Sequence, residues 1–221
     1  MNEPPTTREE MLKFLLESDI RDSRVMGAMA TVPREEFVPP GVRHLAYGQN
    51  ALAIGHGQTI STPFIVASMT ELLELQNSEK LLEIGTGCGY QTAVLCEIIK
   101  EVWSMEIVPE VAAMGAANLT RMGYFPKLKV GDGSDGWASQ APFDRVLLTA
   151  TSPRIPPVLL KQLKVGGMAL GPEREDLERG HGRSEVLARY VRTEQGFERS
   201  VIYGVRFVPM TGKVRDPAPD I

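Results

Sequence analysis

Lys80-Leu81-Leu82-Glu83-Ile84-Gly85-Thr86-Gly87-Cys88-Gly89-Tyr90 decides the fold. Leu81, Leu82 and Ile84 form the short apolar run of a strand covered on both faces. Gly85, Gly87 and Gly89 let the backbone turn tightly and approach a ligand closely. Thr92, Ala93, Val94, Leu95, Ile98 and Ile99 then recur at helical spacing. Strand, glycine turn and helix make the first β-α unit of an open α/β sheet, and such sheets bind ligands in the crevice at the carboxyl ends of their strands.

The flanking acids narrow the choice of ligand. A dinucleotide fingerprint, Gly-x-Gly-x-x-Gly, needs glycine at position 90, where tyrosine stands. Glu83 lies two residues before the first glycine and would repel a pyrophosphate. A ligand carrying an ammonium and a sulfonium suits that carboxylate, and S-adenosylmethionine has both. Gly85 and Gly87 would approach its methionine portion. Glu106 ends the next expected strand, Val102-Trp103-Ser104-Met105-Glu106, where two carboxylate oxygens suit a ribose diol. The bland alternative is a generic α/β turn with two surface acids.

Working outward, Thr7-Arg8-Glu9-Glu10 is a capping box for a helix with Met11, Leu12, Leu15 and Leu16 on one face. A second helix carries Val25, Met26 and Met29 and stops before Val32-Pro33. Residues 1–60 read as an N-terminal layer of helix and loop, ending in a long irregular run from Tyr47 to Ser61. Thr62-Pro63 opens a helix. After the glycine turn, strands are expected at 102–106, 128–130, 143–150 and 168–170, with helices opening at Pro109 and at Pro156-Pro157. Val186–Val191 and Phe197–Val208 alternate as a hairpin through Glu194-Gln195-Gly196. The charged run 172–184 reads as a solvated loop, and 212–221 as a loose tail after a core over 61–211. One domain over 1–221 is the natural reading of this length.

Composition removes several classes. The chain has 221 residues, a net charge of -4 and no Lys/Arg cluster, so no nucleic-acid partner is expected. No apolar run approaches the roughly 20 residues needed to cross a bilayer. Met1-Asn2-Glu3-Pro4-Pro5 lacks the basic start of a secretory signal. Cys88 and Cys96 read as free thiols in a reducing cytoplasm, and His44, His56 and His181 show no metal-ligand spacing.

These motifs add up to a resemblance. Val32-Pro33-Arg34 with Phe37-Val38-Pro39, the run Ile54-Gly55-His56-Gly57-Gln58-Thr59-Ile60-Ser61, and the turn Leu82–Tyr90 are three parts of it. Gly131-Asp132-Gly133 to Gly136-Trp137 and the closing Val205-Arg206-Phe207-Val208-Pro209 complete it. From about Val32 to Thr211 the chain resembles protein-L-isoaspartate (D-aspartate) O-methyltransferases, most closely the bacterial branch. The resemblance implies a class I S-adenosylmethionine-dependent methyltransferase fold: Rossmann-like α/β, a mostly parallel sheet with a C-terminal antiparallel hairpin, and an N-terminal helical layer. The implied reaction methylates the free α-carboxyl of isoaspartyl residues in damaged proteins and peptides, and the ester then closes to a succinimide. Two departures stand out, the charged run Pro172–Ser184 and Leu170-Gly171-Pro172-Glu173 in place of an apolar-Pro-Val-Gly turn.

Under that resemblance the substrate carboxylate, with a pKa of roughly 3.5, is already ionised and needs no general base. Ser61 would orient it, beside the backbone amides of Thr59, Ile60 and Ser61, and Val208 would line the cleft. Ser61 as a helix cap is the competing reading. Asp132 and the Gly133 amide would read the adenine edge, unless Asp132 only stabilises a turn. No metal is expected, and a monomer is. Two other functions stay open: an aspartyl methyltransferase that tailors a dedicated peptide, and a non-catalytic protein that keeps the fold. Intact Ser61, Glu83, Glu106 and Asp132 argue against the latter.

Overall fold

A computed structural model describes residues 4–176 and 183–215. Helix α1 (Arg8–Glu17) starts at the expected capping box: the Thr7 hydroxyl accepts from the Glu10 amide, and the Glu10 carboxylate accepts from the Thr7 amide. Helix α2 (Ser23–Thr31) is capped by Asp22. Met11, Leu15, Val25 and Met29 bury against Ala93 and Val94, so this layer rests on the helix that follows the glycine turn.

The run expected to be irregular holds a small hairpin, β1 (Leu52–Gly55) and β2 (Gln58–Ile60). At its tip Gly55, His56 and Gly57 all have positive φ, which the two glycines tolerate freely. Local propensity hid the hairpin because only three or four residues pair on each side.

The core is a seven-stranded sheet. Helix α3 (Pro63–Leu72) leads into β3 (Lys80–Ile84), α4 (Tyr90–Ile98), β4 (Glu101–Glu106), α5 (Pro109–Arg121) and β5 (Lys127–Val130). The chain then returns to the far side of β3 through β6 (Phe143–Leu148), α6 (Pro157–Lys161) and β7 (Leu163–Asp176). An antiparallel hairpin, β8 (Arg183–Arg192) and β9 (Phe197–Gly204), closes the order β5-β4-β3-β6-β7-β8-β9. The strand order reverses between β3 and β6, which opens a crevice beyond their carboxyl ends. Apolar clusters fill both faces, with Leu82, Val146 and Leu160 in one and Leu81, Val102 and Leu147 in the other.

Three expectations change. Residues 172–176 and 183–184 are not a solvated loop: they extend β7 and β8, paired as far as Asp176 with Arg183, while 177–182 fall outside the described residues. Within that run Glu173 is completely buried. The second hairpin strand ends at Gly204 rather than Val208, and residues 205–211 leave the sheet. Finally, 212–215 are tethered, since the Lys213 amide donates to Asp132 (2.8 Å) and its ammonium to Asp135 (2.6 Å).

Candidate active site

A cleft of about 870 Å³, counting its open mouth, lies at that crevice. One half is lined by Gly85, Thr86 and Gly87, by Glu106 and Ile107 at the end of β4, and by Gly133. The rest of the lining includes Thr59 and Ile60 of β2, Ser61 just after it, and Val208. Eight of the ten residues expected from sequence therefore share one cavity; Glu83 and Asp132 do not line it.

The glycine turn is shaped for close approach. Gly85 has φ +103°, and a Cβ there would land on the Thr149 hydroxyl, which itself donates to the Gly85 carbonyl (2.8 Å). A Cβ on Gly133 would collide with Ile84. Gly115 of α5 lies against the Gly87 carbonyl, so the turn is held from behind as well. Glu106 is fixed by three amides: Oε2 accepts from Gly87 (2.9 Å), and Oε1 from Ile107 (2.9 Å) and Val108 (3.1 Å). Of about four lone-pair directions on a carboxylate, one on Oε2 remains for a ligand.

Glu83 sits beneath the turn, fully buried. Its Oε2 accepts from the hydroxyls of Thr92 (2.5 Å) and Ser104 (2.6 Å), and the Thr86 hydroxyl lies 2.6 Å from that of Ser104. Its contact with the cleft therefore runs through Ser104 to Thr86, while Oε1 has no partner among the described residues. Burial pushes the Glu83 carboxyl up to about 7; the two hydroxyls pull against this and the neighbouring Glu106 adds to it.

This raised value has a defined consequence for stability. Below about pH 4.5 the group is protonated whether the chain is folded or not, and it has no effect. Between 4.5 and 7 the unfolded chain releases a proton that the folded one keeps, so stability falls as pH rises. Glu83→Gln removes that dependence. The variant should exceed the wild type in urea-unfolding free energy at pH 8 by up to roughly 3 kcal/mol, with the advantage gone at pH 4.5. An equal difference at both pH values would contradict this account.

Asp132 lies against the turn that follows β5. Its Oδ1 accepts from the amide and hydroxyl of Ser134 (2.9 and 2.6 Å), and its Oδ2 from the Lys213 amide. Burial alone would raise its carboxyl; the Ser134 hydroxyl and the two amides outweigh that and hold it below the usual range. On the substrate side, Thr62 rather than Ser61 caps α3, with its hydroxyl accepting from the Ile65 amide (3.3 Å). The cap alternative for Ser61 thus falls away.

Sequence reasoning missed Thr149 and Ala150 after β6, and Phe207 to Thr211 as a continuous wall. Thr149 and Ala150 could have been found, since they follow the strand flanking the reversal in strand order. The wall is fixed by Thr151, whose amide donates to Val208 (2.8 Å) and whose carbonyl accepts from Met210 (2.7 Å).

Residues 6–215 match the family model described as protein-L-isoaspartate(D-aspartate) O-methyltransferase. A protein-L-isoaspartate O-methyltransferase of Vibrio atlanticus is 45% identical over 203 residues, 91% of this chain and 94% of that one. The Myxococcus xanthus enzyme of that name is 46% identical over 203 residues, covering 90% and 94%. Two solved structures share the fold. One, named protein-L-isoaspartate O-methyltransferase, has a TM-score of 0.82 at 24% identity and covers 94% of this chain and 67% of its own. The other, a Plasmodium falciparum protein solved with S-adenosyl-L-homocysteine, has a TM-score of 0.80 at 21% identity and covers 94% and 99%. With the sheet order, the glycine turn and the two-sided cleft in place, this chain belongs to the protein-L-isoaspartate(D-aspartate) O-methyltransferase family.

Proposed function

We infer that this protein uses S-adenosylmethionine to methylate the free α-carboxyl of L-isoaspartyl residues in damaged proteins and peptides. The observation that carries the reading is that Thr59–Ser61 and Val208 line the same cleft as the glycine turn and Glu106. The residues present fit the cofactor: a cradle that added Cβ atoms would fill, and an acid with one free lone pair. The cofactor supplies a methyl group on a positive sulfur.

The chain's own residues do the positioning. Gly85 and Gly87 admit the methionine portion, and Glu106 accepts from the ribose. Gly133 flanks the adenine. Asp132 shapes that turn, because its oxygens already bind Ser134 and Lys213. Glu83 acts on the ammonium end from beneath, through Ser104 and Thr86. On the other side, the Ser61 hydroxyl and the amides of Thr59 to Ser61 orient the carboxylate, and the surrounding apolar wall strips it of water. The ester product leaves and closes to a succinimide when the adjoining main-chain nitrogen attacks and expels methanol.

Glu106→Ala should weaken S-adenosylmethionine binding by on the order of 1.5–3 kcal/mol, measured by calorimetry. Unchanged affinity would remove the ribose assignment. The function itself is tested with paired peptides, one isoaspartyl and one aspartyl. They present like carboxylates displaced by one methylene, and a misplacement of that size costs about 100-fold or more in an alignment-dependent transfer. Base-labile methyl incorporation should favour the isoaspartyl peptide by at least about that factor. Ser61→Ala should keep cofactor affinity and slow turnover. Equal methylation of the two peptides would overturn the reading.

The setting we propose is a cytoplasmic monomer without a nucleic-acid partner. Cys88 and Cys96 are free thiols, and no helix among the described residues is long and apolar enough to cross a membrane.

A further inference from the structure

Arg34 is the largest fully buried side chain of the described residues, and it carries a charge. It opens a 3-10 turn, Arg34–Phe37. Its Nε donates to the Ala46 carbonyl (2.7 Å) and its Nη2 to the Ser61 carbonyl (2.5 Å), while Nη1 has no partner. The guanidinium carbon lies 4.8 Å from the centre of the Tyr90 ring, and both Ser61 and Tyr90 line the cleft. Both hydrogen-bond acceptors are neutral carbonyls. Among the described residues no carboxylate pairs with it. The two acids on its own turn are committed elsewhere, Glu35 to Arg8 and Tyr47, and Glu36 to Arg43 and Arg121.

Buried charges in proteins are ordinarily paired, because an isolated one loses its hydration without compensation. Burial lowers the proton affinity of this guanidinium, yet a group that starts so basic stays charged. The fold therefore holds a cation without an anion, one residue behind the wall where the reaction's nucleophile, itself an anion, is read to sit. We propose that the substrate α-carboxylate is the counter-ion of Arg34, and that Arg34 is a positioning residue which selects the ionised carboxylate by acting through Ser61. The inference rests on the functional reading above.

Its remoteness matters to the chemistry. A guanidinium in direct bidentate contact would take two of the carboxylate's roughly four lone pairs and weaken the nucleophilicity of the oxygens. One held behind Ser61 contributes a positive potential in a low-dielectric wall and leaves those lone pairs free. Arg34 should therefore act on KM far more than on kcat. A carboxylate of normal aspartate would meet the same potential, so Arg34 sets the preference for charge, and the Thr59–Ser61 geometry sets the preference for the isomer.

The test compares binding of an isoaspartyl peptide with that of the same peptide carrying a neutral α-carboxamide, on enzyme saturated with S-adenosylhomocysteine. The wild type should favour the carboxylate. Arg34→Met should reduce that preference at least tenfold, with cofactor affinity within twofold of wild type. Arg34→Gln, neutral yet able to donate to the same carbonyls, should show the same loss of preference as Arg34→Met. A purely structural role predicts instead that both peptides weaken together in Arg34→Met, and an unchanged ratio would overturn the proposal. Should Arg34→Met fail to fold, an unchanged ratio in Arg34→Gln overturns it equally. A wild type that shows no preference for the carboxylate, or does not methylate the isoaspartyl peptide, refutes the functional reading first and this inference with it.

Discussion

Glu173→Ala should lower the free energy of unfolding by about 3–5 kcal/mol in a urea titration. The side chain is completely buried, and each oxygen receives two donors. Oε1 accepts from the Ile155 amide (2.7 Å) and the Tyr190 hydroxyl (2.8 Å); Oε2 accepts from Arg154 (3.1 Å) and Arg199 (3.0 Å). The arginines retain some solvent access and can turn outward in the variant, but the Ile155 amide and the Tyr190 hydroxyl cannot. Leaving buried donors without partners is what makes the change large. The same position anchors the stretch after β6: the Ser152 amide donates to the Pro172 carbonyl, and the Arg174 amide to the Ser152 carbonyl. The variant should therefore also loosen the cleft wall that Thr151 holds. A loss below about 1 kcal/mol would show that the cluster is dispensable.

Gly85→Ala should have a comparable effect, concentrated on the cofactor. Two costs combine. A φ of +103° lies outside the regions open to a residue with a Cβ, a strain of about 1–3 kcal/mol. The added methyl also strikes the Thr149 hydroxyl, and overpacking of this kind costs about 1–3 kcal/mol. The backbone can escape only by moving the turn, and the turn is where we place the cofactor, so affinity for S-adenosylmethionine should fall about 30-fold or more. The double variant Gly85→Ala/Thr149→Ala separates the two costs. Removing the hydroxyl should restore part of the loss and leave the part due to φ. Full restoration would mean that the conformation is not the constraint, and no restoration would mean that the contact is not.

The first β-α unit could be read from sequence because its signals are local. Leu81, Leu82 and Ile84 lie within one strand, the glycines follow at once, and Glu106 comes at the end of the next strand. The capping box at Thr7 and Glu10 is local in the same sense. What escaped notice depends on partners far along the chain. Pro-Glu-Arg-Glu-Asp at 172–176 has the composition of a solvated loop, and nothing nearby announces that Arg154, Tyr190 and Arg199 converge on Glu173. Asp132 was read as an acceptor for the adenine edge, with a turn former as the alternative, and its tie to Lys213, 81 residues away, was not legible. Glu83 was expected to meet the cofactor directly, but it does not line the cleft: its depth beneath Thr86 and Ser104 is set by the pairing of β3 with β4. Arg34 read only as part of a motif, since an arginine is normally a surface residue.

The segment from Phe207 to Lys213 closes one side of the cleft without belonging to the sheet. Its main chain is tied by Thr151, by the Glu185 carboxylate to the Phe207 amide (2.8 Å), and by Asp132 to Lys213. The Thr151 tie is a single isolated parallel bridge to Pro209 and the other two are side-chain contacts, so all three can release while β3, β4 and β6 keep their registers. Openings of that kind cost far less than global unfolding and occur far more often. Cofactor exchange by such an opening would be uncoupled from the lifetime of the fold: the protein would be thermodynamically secure and still cycle its ligands quickly, because the moving part carries little of the stability.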